Sequence, residues 1–145
     1  MSRLSGPVLL DTNIPMYAAG REHPLREPAQ RVIRAVVAGD LDAYTDVEVL
    51  REILYRYLRT GERDAAFAVF DSFQRLMDGR VLPVEVADMV RARALAAEWA
   101  NMSPRDYIHW SIMLGHGIRA IVTADRHFDH AEGISRIDPD EVRLR

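Results

Sequence analysis

The sequence predicts an α/β fold in which a parallel sheet lies between helices. Two observations carry this. Short apolar runs, VLL in 8–13 and RAIVT at 119–123, each stop at a polar turn. Segments with helical spacing of apolar residues separate the runs. Strands alternating with helices imply parallel pairing, and right-handed crossovers then bring the strand C-termini to one edge.

The elements follow in order. In VLLDTN, three apolar residues reach Asp11, and Thr12 and Asn13 follow: a buried strand leaving into a turn. Residues 14–20 read as a short helical turn broken by Pro15 and Gly20, and 21–28, with two prolines, as a loop. Residues 29–38 carry Val32, Ile33, Val36 and Val37 at helical spacing, with Gly39 as the stop. A brief strand is expected at 41–44.

Residues 45–60 form a strong helix with an apolar stripe of Val47, Leu50, Leu54, Tyr57 and Leu58. Thr45 and Glu48 match a capping box, in which hydroxyl and acid satisfy free backbone N–H groups. Residues 62–77 form a second amphipathic helix, hairpinned with the first, whose Phe67, Phe70 and Phe73 read as core. A strand at 80–84 and an alanine-rich helix at 85–100 come next. Ser103 and Pro104 open a helix as cap and first residue, and Gly117 stops it. After RAIVT come the loop ADRHFDH and a short strand near 134–137.

A chain of 145 residues fits one domain, read as 1–145. With no cysteine there are no disulfides and no thiolate metal ligands. All nineteen basic residues are arginine, so P-loop and Schiff-base chemistry, which need lysine, are excluded. A phosphoreceiver site would also lack its usual lysine. A formal net charge of −3 leaves any RNA contact to local patches. The start MSRLSG has no apolar core of a signal peptide, and no run is long enough for a membrane span, so a cytoplasmic protein is expected.

Four acids fall where a site would form: Asp11 and Asp125 after strands, Glu52 two turns into a helix, Asp106 in the first turn of another. Each has a plainer reading. Asp106 completes a capping box with Ser103, Asp125 and Asp129 are loop acids, and Glu52 is a helix residue among apolar neighbours. Gathered together, carboxylates repel, and a divalent cation relieves the repulsion. Oxygen donors suit Mg²⁺ or Mn²⁺ better than Zn²⁺. A metal-acidified water can then attack a phosphodiester.

Four blocks, VLLDTN, TDVEVLREIL, SPRDYIHWSIMLGHGI and IVTADRHFD, resemble in order and spacing the PIN-domain ribonucleases, and among them the VapC-type toxins of bacterial toxin–antitoxin pairs. The resemblance implies one PIN-like domain and a Mg²⁺ or Mn²⁺ site that cleaves RNA. It also implies a homodimer and an antitoxin that covers the site. By position, Asp11, Glu52, Asp106 and Asp125 match the metal-holding and catalytic acids, with Glu52 preferred over Glu48. Asn13 and Thr123 match polar residues beside them, and Asp129 a supporting acid; apart from the resemblance, Arg126 is the arginine nearest the proposed site and a candidate to hold phosphate. Trp110 departs from the smaller apolar residue usual there.

His109 reads as a hydrogen-bonding histidine rather than a general base. His127 and His130 lie near the proposed site, and Arg56, Arg59 and Arg63 read as a solvated face. One rival reading is a non-catalytic PIN-like module that binds RNA or protein. Another is a haloacid-dehalogenase-like phosphatase, which needs a second aspartate where Asn13 stands.

Overall fold

The computed structural model describes residues 5–144, so most of the opening segment read for a leader lies outside the described residues. Five strands, β1 (Val8–Leu10), β2 (Ala43–Asp46), β3 (Val81–Leu82), β4 (Ala120–Val122) and β5 (Ser135–Ile137), form one sheet. Their order is β3-β2-β1-β4-β5, and every pair is parallel. The helices are α1 (Asn13–Ala19), α2 (Arg26–Val37), α3 (Val47–Arg59), α4 (Arg63–Leu76), α5 (Val86–Glu98) and α6 (Pro104–His116).

Side chains alternate across a strand, so β1 feeds two cores. Val8 and Leu10 point into the layer of α1 to α4, against Ile14, Val32, Ile53 and Phe73. Leu9 points the other way, against Trp110, Ile112, Ile121 and Phe128. Both faces are therefore covered, which explains why the strands read as unbroken apolar runs. Full burial of one such leucine contributes about 1.5–3 kcal/mol.

The chain builds β2 and β3 to one side of β1, then crosses to β4 and β5 on the other. The strand order reverses between β1 and β4. In open α/β sheets ligands bind at such a reversal, outside the strand C-termini. The exits of β1 and β4 are Asp11–Asn13 and Thr123–Asp125.

Several local expectations change. Pro15 does not break a helix; it sits in the first turn of α1. Pro28 likewise sits in the first turn of α2, which begins at Arg26 rather than 29. The first-turn N–H groups have no intrahelical acceptor, so proline loses nothing there. Thr45 is not a cap. It belongs to β2 and its hydroxyl donates to the Leu10 carbonyl at 3.0 Å. Asp46 caps α3 instead, accepting from Val49 N at 3.0 Å.

The buried stripe of α3 is also rotated from the expected one. Val49, Glu52 and Ile53 are buried, whereas Val47 and Leu58 are 44% and 39% exposed. Phe73 is core, while Phe67 stands 43% exposed beside Arg63. The strand at 80–84 shortens to two residues. Trp110 is buried and tilts against Trp99, with ring centroids 5.9 Å apart. No helix among the described residues is long and apolar enough to cross a membrane.

Candidate active site

Asp11 leaves the end of β1 4% exposed, held from three sides. Its Oδ1 accepts from Thr12 N at 2.7 Å. Its Oδ2 accepts from the Thr123 hydroxyl at 2.7 Å and from Asn13 Nδ2 at 3.3 Å. Asn13 Nδ2 also donates to Thr123 Oγ1 at 2.8 Å, and its Oδ1 accepts from Ala124 N at 3.3 Å. Thr123 Oγ1 accepts in turn from Asp125 N at 3.0 Å. One hydroxyl thus ties the exit of β1 to the exit of β4 and sets both acids.

Asp106 comes from α6. Ser103 caps that helix, and Asp106 Oδ2 accepts in return from Ser103 N at 3.4 Å. Its other oxygen, Oδ1, is buried without a hydrogen bond. Burial first, then the negative charges of Asp125 and Asp11, raise the Asp106 carboxyl above the usual aspartate range. Ser103 and Arg105 oppose that rise.

Asp106, Asp125 and His127 each offer one ligand atom, and the three atoms lie within 4.8 Å of one another. This pocket of donors at the sheet's reversal point sits within a stretch that fits a known family: residues 8–134 match the PIN domain model. The chain belongs to the PIN-domain family. Ribonuclease VapC13 of Mycobacterium tuberculosis is 38% identical over 130 residues, which is 90% of this chain and 98% of that protein. Two solved structures share the fold. VapC20 of M. tuberculosis, described as a sarcin–ricin loop cleaving toxin, has a TM-score of 0.71 at 20% identity, over 86% of this chain and 95% of that one. A toxin–antitoxin complex from Klebsiella pneumoniae has a TM-score of 0.61 at 18% identity, over 93% and 99%.

Glu52 of this PIN domain is 3% exposed and, like Asp106, keeps one oxygen, Oε2, without a hydrogen bond. Glu48, its neighbour on the helix face, is taken up by Arg51 in contacts of 2.6–3.0 Å. Neither Asp11 nor Glu52 belongs to the tight set with His127. Asp11 joins the cluster through Thr123. Glu52 joins through Arg105, whose Nε lies 3.4 Å from Glu52 Oε2 and 3.9 Å from Asp106 Oδ1.

Asp129 lies one link away. It accepts from Arg136 Nε at 2.8 Å, and Arg136 also donates to the Thr123 carbonyl at 3.1 Å. Arg126 is exposed at the start of the short turn after Asp125. The same turn brings in His127, whose backbone N–H donates to Asp125 Oδ1 at 2.9 Å.

Sequence reasoning missed Asp46. Both it and His109 are fully buried, and His109 Nδ1–H donates to Asp46 Oδ2 at 2.6 Å. His109 Nε2 has no hydrogen bond and lies 3.6 Å from Asp11 Oδ1. Burial alone pushes this imidazole's pKa down. The charge and hydrogen bond of Asp46, with the charges of Asp11 and Asp106, outweigh it and raise the pKa to about 9. The signal was present: aspartate at the end of a strand, before a helix, is a favoured N-cap.

Proposed function

We propose that this PIN domain is a divalent-metal-dependent endoribonuclease, the toxin of a toxin–antitoxin pair, which hydrolyses RNA phosphodiester bonds. One observation carries the metal reading. Glu52 Oε2 and Asp106 Oδ1 are buried carboxylate oxygens without hydrogen bonds, beside further acids at the sheet's reversal point. Leaving such acceptors unmatched costs free energy, which a cation relieves.

Asp11, Glu52, Asp106 and Asp125 would hold Mg²⁺ or Mn²⁺, and His127 adds a nitrogen donor that favours Mn²⁺. When bound, the ion supplies an acidified water and Lewis-acid stabilisation of charge on the phosphoryl group. The chain's own residues do the rest. Thr123 and Asn13 fix the direction of Asp11. His109, with Nε2 3.6 Å from Asp11 Oδ1, packs against the same carboxylate. Arg126, exposed beside Asp125, would meet a backbone phosphate.

The ribonuclease relatives support RNA as substrate, and the Klebsiella complex supports an antitoxin partner. The same reading puts the protein in the cytoplasm.

The test is cleavage of a labelled mixed RNA pool by purified protein with Mg²⁺, Mn²⁺ or EDTA, beside Asp11→Asn. The expected result is metal-dependent cleavage that falls by about 100-fold or more in the variant, since altering an outer-shell partner of a metal ligand already costs about 10–100-fold. An Asp11→Asn protein as active as wild type overturns the assignment. Binding of RNA without cleavage under any metal favours the non-catalytic module.

A further inference from the structure

We propose that Arg105 is the resident counter-ion of the acidic site, a guanidinium seated between Glu52 and Asp106 that a divalent cation must displace. The inference rests on the metal reading above and concerns how metal enters.

Arg105 stands on α6 in the first turn, directly before Asp106. That is an unfavourable place for a cation, because the first turn of a helix presents the positive end of its dipole. What holds the guanidinium there is the pair of acids in front of it. Its Nε lies 3.4 Å from Glu52 Oε2 and 3.9 Å from Asp106 Oδ1. Those are the two buried acid oxygens that have no hydrogen bond. The one cation touching both is therefore Arg105, among the described residues.

The contact is loose. Arg51 grips Glu48 through three hydrogen bonds of 2.6–3.0 Å, whereas Arg105 makes only longer, purely ionic approaches to its acids. Its side chain is 39% exposed on a flexible stem. A guanidinium that is half in water and lacks a hydrogen bond leaves at small cost. Glu52 and Asp106, with side chains 4% and 1% exposed, stay where they are. The acids are a fixed receptacle and Arg105 a movable stopper. Metal-free protein keeps its acidic cluster partly neutralised, and an incoming divalent ion competes with a charge built into the same chain.

The experiment is Mn²⁺ binding by titration calorimetry to the full chain at fixed ionic strength. Wild type is compared with Arg105→Gln, Arg105→Lys and, as a control for net charge, exposed Arg93→Gln. Arg105→Gln is expected to bind Mn²⁺ about five- to tenfold more tightly at unchanged stoichiometry, the scale of a partly screened charge contact. Arg105→Lys and Arg93→Gln stay close to wild type. In EDTA, Arg105→Gln melts below wild type, and saturating Mn²⁺ raises its Tm by more than it raises that of wild type. Equal or weaker Mn²⁺ binding by Arg105→Gln overturns the proposal while leaving the metal reading intact. Failure of wild type and every variant to bind Mn²⁺ overturns both.

Discussion

At the scale of single residues, the candidate site sits on a fully buried ion pair, His109 with Asp46. His109 is charged because three carboxylates outweigh its desolvation. Its pKa is raised in the folded state from 6.5 to about 9, so the pair contributes its full stability below pH 6.5. That stability is lost as pH rises through about 9. Melting temperature in EDTA should therefore fall between pH 7 and 10 in wild type, more steeply than in His109→Gln. Asp46→Asn separates the two tasks of Asp46. Asparagine still caps α3, but the imidazolium loses its partner. A cost of about 3–5 kcal/mol, read by urea denaturation, is expected for breaking such a pair from one side.

At the scale of elements, α6 shows how local rules and chemistry coincide. Its sequence carries a serine cap, a proline at the first position and a glycine stop in the left-handed region at φ 67°. Those signals were legible without a structure, because each acts within one turn. The same cap that starts the helix orients Asp106, so a stabilising device also fixes a candidate metal-holding carboxylate. Ser103→Ala should cost about 1 kcal/mol by chemical denaturation, the usual loss of an N-cap. The α2 boundary was less legible. Pro28 looked like a loop residue, yet a first-turn proline has no hydrogen bond to lose, so the helix starts before it. In α3 the periodicity was read correctly and the face in part: Leu50 and Tyr57 do pack against the core, whereas Val47 and Leu58 do not. Which stripe is buried depends on the neighbours, and these turn Glu52 inward and leave Leu58 exposed.

At the scale of the whole molecule, the parallel sheet with its reversal between β1 and β4 gathers residues far apart in the chain. One face of α5 leaves Val86, Met89 and Val90 exposed at 80%, 45% and 65%. Clustered apolar exposure of this kind is a common mark of association surfaces. Together with the family resemblance it motivates the homodimer as a hypothesis. Light scattering after size exclusion should report a dimer for wild type and a monomer for Val86→Asp/Val90→Asp. A monomeric wild type would remove this part of the reading.

The sequence by itself determined the fold class and the positions of the acids. Strand runs, helix caps and the order of four motif blocks are local or serial features, and both are written along the chain. Only the tertiary structure decided which groups meet. The Thr123 hydroxyl reaches Asp11 across 112 positions, and His109 reaches Asp46 across 63. Those contacts depend on strand order, register and helix rotation, which are set by packing on both faces of the sheet. For that reason Asp46 and Arg105 looked ordinary in the sequence and became parts of the site only once the chain was folded.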